Sequence, residues 1–252
     1  MSIGTGTIAL VTGASSGIGE AAVRAFRRRG VEVHAVARRA DRLDRLAEET
    51  GCVSHVVDVR DREAVVRLAD EVPADILVNN AGLGRAMGSL LTADLDDIER
   101  TVDTNVTAVI HMTRLVLPGM IERGRGHIVN MSSISALYPI PSALYGATKG
   151  AIHNLSRDLR LDLQGTRVRV TEINPGRVST EFYDVAVDDV EQRALVTGTE
   201  MEELQPADIA DAVLYAVDAP WRVNISMIEI APIEQTYGGV HVTPVGPLQD
   251  VD

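Results

Sequence analysis

Lysine is almost missing from this chain. Of its 24 basic residues only Lys149 is a lysine; every other is an arginine. Arginine stays charged and planar, whereas a lysine ammonium is a compact charge whose pKa answers to its surroundings. A lone lysine therefore marks a position that arginine does not serve. Genome base composition can produce the same scarcity, so Lys149 gains weight only with its neighbours. Cysteine is equally rare: Cys52 stands alone, which excludes an internal disulfide framework and reads as a small apolar filler. No Cys/His cluster has metal-ligand spacing. No apolar run approaches the ~18 residues of a membrane helix. Met1–Gly6 lacks the basic region and apolar run of a signal peptide, and a cytoplasmic protein is expected. A net charge of −12 and a pI near 4.9 argue against nucleic acid or an anionic membrane as partner.

With 252 residues, 45% of them hydrophobic, the chain can bury one substantial core. Apolar runs at 8–11, 31–37, 54–57, 76–78, 127–131, 168–173 and 226–230 alternate with amphipathic stretches at 17–29, 41–49, 62–72, 95–123, 142–163 and 206–217. That alternation predicts an α/β fold: a doubly wound, Rossmann-type parallel sheet of about seven strands, in a single dinucleotide-binding domain over 1–252. The segment from Glu181 to Gln205 breaks the rhythm and is rich in acids (Asp184, Asp188, Asp189, Glu191, Glu200, Glu202 and Glu203 among them). It follows a strand's C-terminal end, where ligands bind in such sheets, so it is expected to act as a lid; a solvated acidic surface helix is the alternative.

Between the first strand and first helix lies Thr12-Gly13-Ala14-Ser15-Ser16-Gly17-Ile18-Gly19. Its glycines permit a tight turn and let a pyrophosphate approach backbone amides at the helix's positive end. Arg27–Arg29 at the end of that helix read as a solvated face that complements its dipole. The second strand ends in Val36-Ala37-Arg38-Arg39, where an NAD enzyme of this architecture places an acid for the ribose hydroxyl. Two guanidiniums there suit a 2′-phosphate instead, which predicts NADP(H); the alternative is that these arginines merely cover the start of the next helix. Tyr145 and Lys149 stand four apart, on one face of a predicted helix. At that separation the ammonium is expected to lower the phenol's pKa and ready it for proton transfer.

Thr12–Gly19, Asn79-Asn80-Ala81-Gly82 and a serine followed by Tyr145-x-x-x-Lys149, in this order over residues 7–180, resemble the short-chain dehydrogenase/reductase family. Asn224–Gln235, in place of that family's common Val-Asp-Gly-Gly ending, is similar to the branch of NADP-dependent 3-hydroxy acid and serine dehydrogenases. The resemblance implies hydride transfer between NADP(H) and a small alcohol or carbonyl compound, with Tyr145 as general acid/base and Lys149 also holding the nicotinamide ribose. It implies that Asn105 holds a water linking the lysine to solvent; a helix-local hydrogen bond is its plain alternative. An active serine is implied as well. Ser133 is second of a pair, as the family has it, while Ser132 has the usual thirteen-residue spacing to the tyrosine. Ser133 is favoured, because a loop absorbs a deletion more easily than a strand. Ala136 stands where the family usually has glycine.

Cofactor contacts implied by the resemblance comprise Gly13, Ser15, Ser16, Gly17, Ile18 and Gly19 at the phosphates, and Asp58 and Val59 at the adenine. Asn80, Ala81 and Gly82 fall to the ribose and the sheet edge, and Pro175, Gly176 and Val178 to the nicotinamide amide. Leu83, Tyr138, Ile140, Leu144, Phe182 and Tyr183 are candidates for an apolar substrate pocket. Arg85 and Arg177 are candidates for a small anion, with cofactor phosphate or simple exposure as alternatives. A homodimer or homotetramer packed through 95–123 and 142–163 is implied too. The competing reading is a dinucleotide-binding regulatory protein without turnover, which would need the cleft but not the proton donor.

Overall fold

The computed structural model describes residues 3–85, 87–187, 190, 191, 193 and 201–236. Seven strands form one parallel sheet in the order β3-β2-β1-β4-β5-β6-β7. They are β1 (Ile8–Thr12), β2 (Glu32–Ala37), β3 (Val53–Val56), β4 (Ile76–Asn79), β5 (Gly126–Met131), β6 (Val168–Pro175) and β7 (Met227–Ile230). Each lies on one of the predicted apolar runs. β6 reaches two residues further than its run, to Pro175, because Asn174 and Pro175 still pair with Glu229 and Ile230.

Parallel strands need crossovers, and these are helical: α1 (Gly17–Arg28), α2 (Ala40–Thr50), α3 (Arg62–Glu71), α4 (Leu95–Val102), α5 (Ala108–Glu122), α6 (Ala143–Asp162) and α8 (Pro206–Asp218), with the short α7 (Phe182–Ala186) above the sheet's C-terminal edge. Sequence signals mark their ends. Asp61 caps α3 by accepting from Ala64 N, Asp94 caps α4 by accepting from Asp96 N and Asp97 N, and Gly51 closes α2 at φ +69°.

Neighbouring residues of β1 face opposite ways and both faces are covered. Ala9 and Val11 join Phe26, Leu43 and Ile209 in one core cluster; Leu10 joins Leu77, Ile128 and Val170 in the other. Burying one such large side chain stabilises by about 1.5–3 kcal/mol. Cys52 is part of the first cluster, as a filler should be.

The stretch 95–123 is interrupted. Asp103–Thr107 forms a π-helical turn between α4 and α5. The wider turn inserts a residue and rotates the helix face, a device common at functional sites. Strand order reverses between β1 and β4, so the crevice beyond their C-terminal ends is where a ligand belongs. No helix among the described residues is long and apolar enough to cross a membrane, and none of their His, Cys, Asp and Glu side chains cluster as a metal site.

Candidate active site

A cavity of about 1130 Å³ occupies that crevice. One end is the glycine loop. Gly13 (φ +67°) and Gly17 (φ +55°) hold backbone that other residues rarely adopt, and a Cβ on Gly13 would stand 2.8 Å from Asn80 Nδ2. Gly19 plays a different part: it is not on the wall, and its Cβ would meet Gly13 O at 2.3 Å. It lets α1 close onto the loop. Thr12 ties the two central turns together, its hydroxyl accepting from Asn80 N and Ala81 N at 3.0 Å.

Gly13, Ser15, Ser16, Gly17, Ile18, Arg38, Arg39, Asp58, Val59, Asn80, Ala81, Gly82, Ser133, Tyr145, Lys149, Pro175, Gly176 and Val178 all line this one cavity, as does Ser132. Residues at or just beyond the C-terminal ends of β1 to β6, with others from α1 and α6, thus converge. The glycine cradle has no room for side chains, no acid stands at the end of β2, and Arg38 there is exposed, with no hydrogen bond among the described residues. These features fit a dinucleotide carrying a 2′-phosphate. Arg39 is already engaged: Nε donates to Ser15 Oγ (3.0 Å), Nη2 to Ser16 Oγ (2.6 Å) and Nη1 to Glu181 Oε2 (3.0 Å). Asp58 is held by Arg60, which lowers its pKa.

The inner end holds Tyr145, half-buried, and Lys149, buried. Tyr145 lies in the first turn of α6 and Lys149 one turn on, with Nζ 5.6 Å from the phenol ring's centre. Lys149 is 6% exposed and donates to Met131 O at 2.9 Å. Burial pulls its pKa down to about 8, opposed by the carboxylate of Glu172. The expected lowering of the Tyr145 pKa is corrected here. Burial raises it, Tyr183 adds to the rise, and only the Ser133 hydroxyl acts the other way. Desolvation outweighs an ammonium that is itself desolvated and turned toward a backbone carbonyl.

The two serines divide. Ser133 touches the phenol and caps the short turn after β5 by accepting from Ser135 N (3.1 Å). Ser132, the next residue of the ladder, is buried with its hydroxyl on Lys149 O (3.3 Å). Asn105 is not on the cavity wall. Its Oδ1 accepts from Leu83 N (2.7 Å), and its Nδ2 donates to Leu83 O (2.8 Å) and Thr148 Oγ1 (3.1 Å). These bonds are long-range, so the helix-local alternative does not apply, and the side chain braces the turn behind Gly82.

Leu83, Ile140, Phe182 and Tyr183 line the substrate side of the cavity; Tyr138 and Leu144 are not on the wall, and Tyr138 reaches instead to Glu229 (3.2 Å). Arg85 and Arg177 line it while holding acids, Asp97 at 3.3 Å and Glu203 at 3.7 Å. Of the predicted lid, Glu181, Phe182, Tyr183, Val185, Ala186, Val187 and Met201 form part of the wall, and Phe182 packs against Tyr145 with ring centres 5.4 Å apart. Asp188, Asp189 and Glu200 lie outside the described residues.

Three features escaped sequence reasoning. Arg42 shares Glu181 with Arg39. Gln235 accepts from Arg177 N (2.8 Å) and packs on Gly176. Glu172, 1% exposed, accepts from His153 at 2.8 Å. His153 alone carried a signal, lying at the same helical interval beyond Lys149 as Lys149 lies beyond Tyr145.

The short chain dehydrogenase family profile matches residues 7–191. The NADP-dependent 3-hydroxy acid dehydrogenase YdfG of Escherichia coli K12 is 41% identical over 244 residues, covering 93% of this chain and 98% of that protein. The chain belongs to the short-chain dehydrogenase/reductase family. A second family member, sulfoacetaldehyde reductase 2 of Chromohalobacter salexigens, is 39% identical over 248 residues, covering 93% and 98%. Among solved structures, the closed form of serine dehydrogenase complexed with NADP+ superimposes with a TM-score of 0.88 at 40% identity, covering 95% of this chain and all of that one. The short-chain dehydrogenase/reductase resemblance of the motifs, and the branch suggested by Asn224–Gln235, are thereby shown.

Proposed function

We propose that this protein is an NADP(H)-dependent oxidoreductase that interconverts a hydroxyl and a carbonyl on a small acid, and that the whole chain serves as one cofactor-binding unit. The observation that carries the reading is the meeting of Tyr145, Ser133 and Lys149 at the closed end of a cleft whose open end presents Arg38 and Arg39. The bound nicotinamide would supply or accept the hydride. Arg38 and Arg39 hold the 2′-phosphate, and Lys149 is placed for the ribose beside the nicotinamide. The raised pKa of Tyr145 keeps its phenol protonated at neutral pH, the form that gives a proton to a carbonyl oxygen during reduction. Ser133 offers a second hydrogen bond to that oxygen, and Lys149 stabilises the phenolate left behind. In the oxidative direction the proton runs the other way: the Tyr145 phenolate, stabilised by Lys149, receives the hydroxyl proton and becomes the phenol.

Relatives named for 3-hydroxy acids, serine and sulfoacetaldehyde share one chemistry: a hydroxyl or aldehyde near an anionic group. We extend that class to this chain, with Arg85 or Arg177 as the cation that meets the anion. We further propose a homodimer or tetramer through α4–α6. Leu95, Ile110, Ile121 and Leu161 stand exposed on those helices and would be covered by a second copy. No feature of the cleft favours a regulatory protein without turnover, since such a protein has no use for a phenol on the cavity wall beside a buried ammonium.

Fluorescence titration with NADPH and NADH, followed by assay of 3-hydroxy acids, serine and aldehyde acids, tests the reading. NADPH is expected to bind about tenfold or more tighter than NADH, the worth of one charge-assisted contact to the 2′-phosphate. Binding of neither would overturn it.

A further inference from the structure

Glu181 sits where the cofactor's charge should sit. Its carboxylate accepts from Arg39 Nη1 (3.0 Å) and, through both oxygens, from Arg42 Nη1 (2.7 and 2.8 Å). Arg39 spends its remaining nitrogens on Ser15 and Ser16 of the glycine loop, so every nitrogen of that guanidinium is occupied. A fork of this kind binds carboxylate and phosphate alike. A 2′-phosphate gripped by Arg39 beside Arg38 competes with Glu181 for that guanidinium. A carboxylate left in place would repel the phosphate.

We infer that Glu181 is a built-in stand-in for the 2′-phosphate, displaced by NADP(H) but not by NAD(H), and that its displacement frees the segment roofing the substrate pocket. This rests on the NADP(H) reading above. The exchange favours the phosphate, which carries about −1.5 to −2 charges against the carboxylate's −1. Competition is feasible because the pairs are partly solvated: the side chains of Arg39, Arg42 and Glu181 are 39%, 32% and 45% exposed. Exposed ion pairs hold weakly and exchange readily. The mechanical link is short. Glu181 immediately precedes Phe182, whose ring packs on Tyr145 and against Gly84, and Tyr183 and Val187 continue the wall. NADH, lacking the phosphate, leaves Glu181 latched and the roof where it is. Discrimination between the cofactors would then be felt at the substrate pocket as well as at the arginines.

The test is Glu181→Gln, which keeps shape and removes charge at an exposed position. Calorimetric titration at low salt should show NADPH binding about threefold to fivefold tighter than in the wild type, the upper part of the range of an exposed ion pair, with NADH changed less than twofold. Hydrogen exchange over residues 180–187 gives a second readout. In the wild type NADPH should alter it and NADH should not; in Glu181→Gln the cofactor-free protein should already resemble the NADPH-bound wild type. Unchanged or weaker NADPH binding in the variant, with the wild-type preference for NADPH intact, overturns the inference alone. A wild type that binds the two cofactors equally overturns the cofactor reading, and the inference with it.

Discussion

Positive charge stands in water at one end of the cleft and in a dry interior at the other. Arg39 and Arg42 are about a third exposed, share a carboxylate and can trade it for another anion. Lys149 is buried, donates to a backbone carbonyl, and has its pKa drawn down to about 8. Charge in a solvated fork costs little to keep and exchanges easily. Charge in the interior costs several kcal/mol unless the group can release its proton. A guanidinium cannot make that release and an ammonium can, which gives the single lysine of this chain a physical reason.

The contrast breaks most visibly at the phenol. Tyr145→Phe removes the proton donor while leaving the cleft intact, so turnover should fall by about 10²–10⁴-fold with NADPH affinity held within twofold. A variant that turns over near the wild-type rate would remove Tyr145 from the chemistry.

Lys149→Met sharpens the same end as a stability effect. The folded pKa lies near 8 and the ordinary one at 10.5, so the unfolded chain holds this proton more tightly. The resulting destabilisation is absent above about pH 10.5, grows as pH falls toward 8 and is fully present below that. At ~1.4 kcal/mol per unit it amounts to about 3 kcal/mol, from which about 1 kcal/mol is returned because Met131 O loses its donor. Lys149→Met should therefore melt higher than the wild type at pH 7 while losing activity, and the gain should vanish near pH 10.5. A lower melting temperature at pH 7 would mean that the ammonium's contacts outweigh its burial.

The smallest effect belongs to the solvated end. Arg38→Ala should weaken NADPH about tenfold, the loss of one partly exposed charged hydrogen bond, and leave NADH within twofold. Equal losses for both cofactors would move that arginine from the 2′-phosphate to some shared part of the nucleotide.

Much of this was legible along the chain. Strand positions followed from runs of branched apolar residues, since a parallel sheet covered on both faces demands them. The glycine loop was legible because its backbone excludes side chains, as the contacts a Cβ would make at Gly13 and Gly19 demonstrate. The π-turn at Asp103–Thr107 was not, because no local pattern distinguishes one inserted residue from a continuous helix. Nor was the Arg39–Glu181–Arg42 cluster, whose members lie some 140 positions apart and meet only because β2 and the segment after β6 end at one edge of the sheet.

Residue types and spacing thus settled the fold class, the family and the convergence of Tyr145 and Lys149 on one helix face, because these depend on local geometry and periodicity. The direction in which burial moves the Tyr145 phenol, the pairing of Glu172 with His153 behind Lys149, and the acids already held by Arg39, Arg85 and Arg177 waited for the folded chain. Desolvation and ion pairing belong to neighbours in space, and a linear order of residues does not specify how much water lies between them.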